Sequence, residues 1–204
     1  MVAQLFNRQT LIQSFQLNTP VEYHSESLKR LNHLNPNALR KAAVLIGFVE
    51  RDNGLHVLFT KRAKHLKHHP GQVSFPGGKY ELDDKSLVTT AIRETQEETG
   101  INPSLIQIFG QMNELPTVSQ FSVTPYLAFI KPNYQAKIDQ NEVAEIFEVP
   151  VDIVLNPDHL HSEMFRFKDH HHRVFALNYQ RHFIWGMTAQ IIHALQRQLP
   201  KPLD

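Results

Sequence analysis

The sequence predicts an α/β or α+β sandwich in which helices flank a mixed central sheet. Three observations carry that expectation. Apolar runs of strand length recur between residues 42 and 150. An Asn53-Gly54 pair separates the first two of them, a strong hairpin signal because both residues tolerate positive φ. The longer helical patterns lie in only two segments, 85–100 and 183–199, so strands and helices do not alternate regularly.

The 204 residues are read as one domain, 1–204, large enough to bury a sizeable core. The hydrophobic fraction of 41% and charged fraction of 20% are ordinary for a folded chain and argue against general disorder. A formal charge of +1 supplies no global field for nucleic acid or an anionic membrane, so neither is expected as a partner. Cysteine is absent, which excludes disulfide scaffolds, thiolate zinc sites and cysteine nucleophiles. The opening MVAQLFNRQTLIQSFQ lacks a basic segment followed by a long apolar run, and no apolar run is long enough for a membrane span. A cytoplasmic location is therefore expected.

Residues 1–40 are polar and mixed, and are expected to pack on the core as an N-terminal extension, with a short helix around Leu28 to Leu34. "AAVLIGFVE" (42–50) reads as a buried strand and "LHVLFTKR" (55–62) as its hairpin partner. The glycine- and proline-rich 65–84 reads as a shaped loop with a short strand at Val73 to Phe75. "KSLVTTAIRETQEETG" (85–100) sets Leu87, Ala91, Ile92 and Thr95 on one side of a helix that Gly100 would stop. "LIQIFGQM" and "SVTPYLAFI" are two further strands, and "EVAEIFEVPVDIVL" a strand followed by a helical turn opened by Pro150. "MFRFK" and "RVFALNY" suggest a hairpin across the histidine-rich 169–173, and 183–199 a terminal helix.

The segment 93–100 concentrates charge. A helix advances about 100° per residue, so Glu97 and Glu98 lie about 60° and about 40° from Glu94, on one face. Like charges at these spacings destabilise a helix, and anions near its C-terminus oppose the dipole. Converging carboxylates suit a hard divalent cation with oxygen ligands. Arg93 is four residues before Glu97 and can pair with it. An acidic solvated face is the alternative for an isolated E-x-x-E-E. The preceding "SFPGGK" shifts the balance, because paired glycines let a backbone approach a ligand closely and sit fifteen residues before Arg93.

"GGKYELDDKSLVTTAIRETQEETGI" resembles the Nudix box, G-x5-E-x7-R-E-U-x-E-E-x-G-U, at Arg93, Glu94, Glu97, Glu98, Gly100 and Ile101. The glycine-to-arginine spacing is one residue longer, Asp83-Asp84 stands in the region of the first Glu, and Thr95 occupies the aliphatic position. "LFTKRAKHLKHHPGQVSFPGGKYE" (58–81) is similar to the motif of the coenzyme A pyrophosphatase branch, matching at Leu58, Thr60, Arg62, Ala63, Gly71, Phe75, Pro76, Gly77 and Gly78. Lys67 replaces the branch's Arg and Glu81 its Asp, whereas the longer box spacing is shared. "NEVAEIFEVP", "HRVFAL" and "FIWGMTAQII" extend the similarity to about residues 40–198.

The resemblance implies a Nudix-type α/β/α sandwich and hydrolysis of coenzyme A, a small-molecule substrate, to 4′-phosphopantetheine and adenosine 3′,5′-bisphosphate. It implies Mg2+ or Mn2+ held by Glu94, Glu97 and Glu98, with Arg93 supporting them, Glu97 or Glu98 assisting the water, and Glu142 as a general base from a separate loop. Arg62, Lys67, Gly71, Phe75, Gly77 and Gly78 fall on positions for substrate binding, although Phe75 by itself reads as core. The alternatives are another nucleoside diphosphate derivative, such as NADH, ADP-ribose or a nucleotide sugar, and a non-catalytic nucleotide-binding module. A homodimer is compatible with the sequence. The triple histidine at 170–172 does not suggest zinc, because neighbours on a strand point to opposite faces and H-E-x-x-H is absent. Phe183, Ile184, Trp185 and Ile191 read as packing of the last helix, not as a base-stacking site.

Overall fold

The computed structural model describes residues 6–31, 33–167 and 170–199. At its centre is β1 (Arg40–Arg51), buried without interruption from Ala42 to Val49. A strand covered on both faces reads as a continuous apolar run. Ala43, Leu45 and Val49 pack to one side, and Val44, Ile46 and Phe48 to the other. β2 (Gly54–Arg62) returns antiparallel. The hairpin turn falls one residue earlier than expected. Arg51 pairs with Gly54, so Asp52 and Asn53 form the turn and Gly54, at φ 115°, opens β2. β3 (Val73–Ser74) then pairs with β2, and β4 (Gly77–Lys79) with the start of β1.

The N-terminal segment holds a helix that its weak apolar contrast concealed. α1 (Arg8–Leu17) is capped by Asn7 and buries Leu11 and Phe15. The expected helix at 28–34 is displaced: α2 (Ser25–Leu28) passes into a 3-10 turn at Lys29–Leu31, and Asn32 lies outside the described residues. α3 (Leu87–Thr99) is the helix read from 85–100. Ser86 caps its first turn, and Gly100, at φ 72°, ends it by donating to the Gln96 carbonyl at 2.7 Å.

β5 (Ile106–Gln111), the unexpected two-residue β6 (Leu115–Pro116), β7 (Phe121–Ile130) and β8 (Val143–Pro150) complete the main sheet. Its spine runs β3-β2-β1-β7-β5, with β4 on β1, β6 on β7 and β8 on β2. β1 and β7 are parallel from Arg40–Phe121 to Val49–Ile130, while the β1–β2 and β5–β7 pairs are antiparallel. The sheet is thus mixed, as expected. α3 covers one face through Leu87, Val88 and Ala91, against Leu45, Leu58 and Ala128. The other face carries α1 and the C-terminal part of the chain. Phe15 meets Phe109 edge to face and lies where a side chain at Gly110 would be, and Arg8 stacks on Phe129 at 4.2 Å.

After the short α4 (Val151–Val154), β9 (Leu160–Phe167), β10 (His170–Tyr179) and β11 (His182–Trp185) form a second, antiparallel sheet in the order β9-β10-β11. The hairpin was expected, but β10 already begins at His170, so the histidines lie in the strand; the connection at 168–169 is outside the described residues. The terminal helix is shorter than the sequence suggested. α5 spans Met187–Gln198, and the preceding "HFIW" alternates buried and exposed as a strand. Gly186, at φ 67°, makes the change of direction. Ile184 is fully buried, but Phe183 and Trp185 are 53% and 44% exposed, which corrects their reading as core. His182 ties this sheet to β8 by stacking on Phe147 at 3.6 Å and meeting Glu145 at 3.2 Å.

The alternation of β11 has a direct consequence. Ile184→Ala should cost about 2–5 kcal/mol in urea unfolding, while Phe183→Ala on the same strand should stay within about 0.5 kcal/mol. A helical 183–186 would give no such alternation.

Candidate active site

α3 brings Glu94, Glu97 and Glu98 together with three other pieces of chain. Glu98 points inward and is buried, with its carboxylate 3.4 Å from the Thr60 hydroxyl of β2. Glu94 is half-buried and packs on β4, where a side chain on Gly78 would overlap its carboxylate. Gly77, at φ 154°, presses equally closely on Ala43 and Val44 of β1. The two glycines therefore let β4 fit between β1 and α3, a close approach that only a backbone without Cβ permits. Glu97 is exposed at the outer side of the cluster.

Arg93 holds this arrangement. Its guanidinium donates to Glu97 at 2.9 Å, Glu94 at 3.1 Å, the Lys79 carbonyl at 3.1 Å and both oxygens of Asp84 at 3.0 Å. The pairing with Glu97 was expected from spacing; Asp84 is the larger partner and the sequence marked it only as one of two aspartates. Buried Asp84 also accepts from Thr90 at 2.8 Å and from the Glu81 backbone at 3.0 Å, so it fixes the loop before α3 onto the helix. The Arg93 guanidinium holds the Asp84 carboxyl well below the usual carboxylate range, and Asp84 in turn raises Arg93.

The electrostatics of Glu98 run the opposite way. Burial, reinforced by Glu94 and to a lesser degree by Glu142, pushes its carboxyl up to about 8, against the opposing effects of Arg62 and the Gly77 backbone. Burial also raises Glu94. The site therefore carries oxygen donors whose negative charge is only partly compensated, and that is the donor chemistry a hard divalent cation takes. Glu94, Glu97 and Glu98 fit such an ion in type and in shared face. Among the described residues, no group of three histidine, aspartate or glutamate side chains is already drawn together for coordination.

The remaining candidates separate. Arg62, at the end of β2, and Glu142, just before β8, both act on Glu98 and so belong to the cluster. Their strands are joined there, with the Ala63 N–H donating to the Glu142 carbonyl at 2.8 Å. Lys67 is exposed on the connecting loop, and Gly71 makes an open turn at φ 70°. Phe75 corrects an expectation: it is 2% exposed and stacks on Phe59 at 4.9 Å, so it supports the glycine loop from within the core and offers no surface to a ligand. Thr60 was passed over as a site residue, although it lies within the 58–81 motif on a strand leading to Arg62.

The family model for the NUDIX domain matches residues 39–174, well over half of the chain. The chain belongs to the Nudix family. An "Uncharacterized Nudix hydrolase NudL" from Enterobacter sp. (strain 638) is 42% identical over 161 residues, covering 78% of this chain and 83% of that protein. Its counterpart from Yersinia pestis (strain Pestoides F) is 37% identical over 188 residues, 92% of each chain. Among solved structures, the NUDIX domain of Shewanella oneidensis NrtR complexed with ADP ribose has a TM-score of 0.45 at 23% identity, over 62% of this chain and 84% of that one. C. elegans Ap4A hydrolase has a TM-score of 0.47 at 19% identity, over 54% and 80%. Nudix hydrolases act on nucleoside diphosphate derivatives and generally use ions such as Mg2+ or Mn2+. Among the described residues, no helix is long and apolar enough to cross a membrane.

Glu98 and Asp84 set opposite pH dependences. Glu98 titrates higher in the folded state than its ordinary value, so its contribution is complete below about pH 4.5 and lost as pH rises through about 8. Asp84 titrates lower, so its contribution is present at neutral pH and lost on acidification below the usual carboxylate range. Metal-free protein should therefore lose melting temperature between pH 5 and 9, and Glu98→Gln should remove most of that loss. Mn2+ should restore the melting temperature of the unsubstituted protein at pH 9 but not that of Glu98→Gln.

Proposed function

We propose that this Nudix hydrolase cleaves the pyrophosphate bond of coenzyme A and its derivatives, giving 4′-phosphopantetheine and adenosine 3′,5′-bisphosphate. The observation that carries the reading is the convergence of the 58–81 loop motif on the α3 carboxylates. Arg62 offsets the charge of Glu98, and Gly78 meets Glu94 directly. A loop whose pattern is that of the coenzyme A branch thus borders the charged face on which the diphosphate must lie.

The residues divide the chemistry between them. Glu94, Glu97 and Glu98 would hold a divalent cation, and the chemistry it would supply there is charge neutralisation at the diphosphate and a more acidic water. Arg93 orients Glu94 and Glu97 and is not itself a reacting group. Glu142 sits on a separate loop, exposed and close enough to act on Glu98, and takes the proton from the water as its oxygen bonds to phosphorus. The bridging P–O bond breaks and its electron pair leaves with the departing phosphate. Gly77 and Gly78 keep the backbone close to the diphosphate, while Arg62 and Lys67 supply positive charge for the substrate's phosphates. Lys67 does so as a point charge, without the fork of an arginine.

A panel of coenzyme A, acyl-coenzyme A, NADH and ADP-ribose, each with Mg2+ and Mn2+, tests the substrate. The highest kcat/KM is expected for a coenzyme A compound, and equal or faster turnover of NADH or ADP-ribose would sink the reading. Glu142→Gln should lower kcat by about 10²–10⁴ and abolish the acidic limb of its pH profile, with KM little changed. Glu98→Gln that cleaves substrate as fast as the parent would refute the metal site.

A further inference from the structure

Glu142 has no anchor for its side chain. It is exposed, and its carboxylate makes no hydrogen bond or ion pair with another described residue. Its charge nevertheless reaches the cluster, where it adds to burial in raising both Glu94 and Glu98. A group held by nothing at its tip is placed by its backbone alone. Whatever fixes that backbone is therefore part of the site.

Residues 137–142 dock on the end of α3. The last carbonyls of a helix have no partner within it. Here the Lys137 N–H donates to the Thr99 carbonyl at 2.8 Å, and the Asp139 N–H to the Glu98 carbonyl at 3.3 Å. Gly100 permits the contact, because a side chain there would lie 2.7 Å from the Lys137 carbonyl oxygen and 2.9 Å from its nitrogen. The docked segment thus joins the main chain of Glu98 to the loop that carries Glu142.

Asp139 is the hub of that segment. Its carbonyl accepts from the Glu142 N–H at 3.0 Å and the Val143 N–H at 2.8 Å. Its carboxylate Oδ1 accepts from the Asn141 N–H and from the Asn141 side-chain amide, both at 2.9 Å. An aspartate oxygen bonded to the backbone two residues on closes a turn. One residue therefore bonds to Glu98 on one side and turns the chain into Glu142 on the other. Regular strand pairing does not replace it. The β2–β8 register shifts between Lys61–Glu145 and Arg62–Val143, which leaves Ala144 extra just after Glu142. On its other side the turn meets the start of the β2–β3 loop. The Ala63 N–H donates to the Glu142 carbonyl at 2.8 Å, and His65 Nε2 donates to the Asn141 carbonyl at 3.0 Å. Both main-chain polar groups of Glu142 are thus occupied.

We propose that Asp139 is a positioning residue for the reaction, holding Glu142 at a set distance from Glu98 by closing the turn between them. The inference rests on Glu142 acting as the general base, and not on coenzyme A as the substrate. A base must lie within hydrogen-bond reach of the proton it takes, and a displacement of about 1 Å can cost about 10²-fold in rate. Asp139 acts through an acceptor oxygen and not through its charge. Asparagine presents the same oxygen, and alanine does not.

Kinetics on the best nucleotide substrate, with Mn2+ saturating, test the role. Asp139→Ala should lower kcat about 10- to 10²-fold with KM little changed, and Asp139→Asn should restore most of the loss. Amide hydrogen exchange at Asn141, Glu142 and Val143 should quicken about tenfold in Asp139→Ala and not in Asp139→Asn. Mn2+ affinity of the substrate-free protein should be the same in both, because the α3 carboxylates are untouched. In a Glu142→Gln background, Asp139→Ala should cost nothing further. Asp139→Asn as slow as Asp139→Ala overturns the role, as does a fall in Mn2+ affinity that matches the fall in rate. An additive loss in the double variant overturns it too, and leaves Glu142 standing as the base. Turnover at the parent rate by Glu142→Gln removes the base and the role of Asp139 with it.

Discussion

Three carboxylates on one helical face repel each other, and they do so at the end of α3 where the helix dipole adds to the penalty. The site exists because Arg93 spends all five of its N–H donors on this one neighbourhood. Two go to Asp84, and one each to Glu94, Glu97 and the Lys79 carbonyl. A lysine, with three donors and no planar fork, could not join a loop aspartate, a strand carbonyl and two helix carboxylates at once. The interaction is thus both a charge balance and a clamp that joins β4, the loop at Asp84 and α3. Glu98 lies beyond its reach and depends on Arg62, Thr60 and a backbone amide. The carboxylate that the protein compensates least is also the most deeply buried of the three.

The mixed sheet makes that geometry stiff. β1 is buried on both faces and pairs with β2, β4 and β7, so the strand that receives the glycines cannot move independently of the core. β2 carries Leu58 into the α3-side core and Thr60 and Arg62 to the cluster, and its partner β8 begins next to Glu142. Two loops that bear site residues are tied by the Ala63–Glu142 backbone bond and by His65 at 3.0 Å from the Asn141 carbonyl. Charge, strand pairing and loop anchoring thus converge on one edge of the sheet.

Much of this was legible in the sequence because it is local. The helix from 87 to 99, its glycine stop and the shared face of the glutamates follow from residue spacing alone, and the glycine loop announces a close backbone approach. The parts that were not legible depend on tertiary partners. Asp83 and Asp84 are indistinguishable until Arg93 and Thr90 select one of them. Phe75 matches a binding motif yet is claimed by Phe59 in the core. "FIWG" continues a helical apolar pattern, and only pairing with β10 reveals it as a strand with Phe183 and Trp185 outside. α1 escaped notice because just two of its ten residues are buried, against a sheet face supplied by distant sequence.

The two glycines of β4 have one more implication. Where they lie, the contact between strand and helix contains no side chain from the strand, so point changes have nothing there to tune. Variation in the surroundings of the carboxylates must come from side chains elsewhere, such as those of the β2–β3 loop, where Lys67 is exposed. That loop can change its surface while the backbone contact beneath it stays as it is.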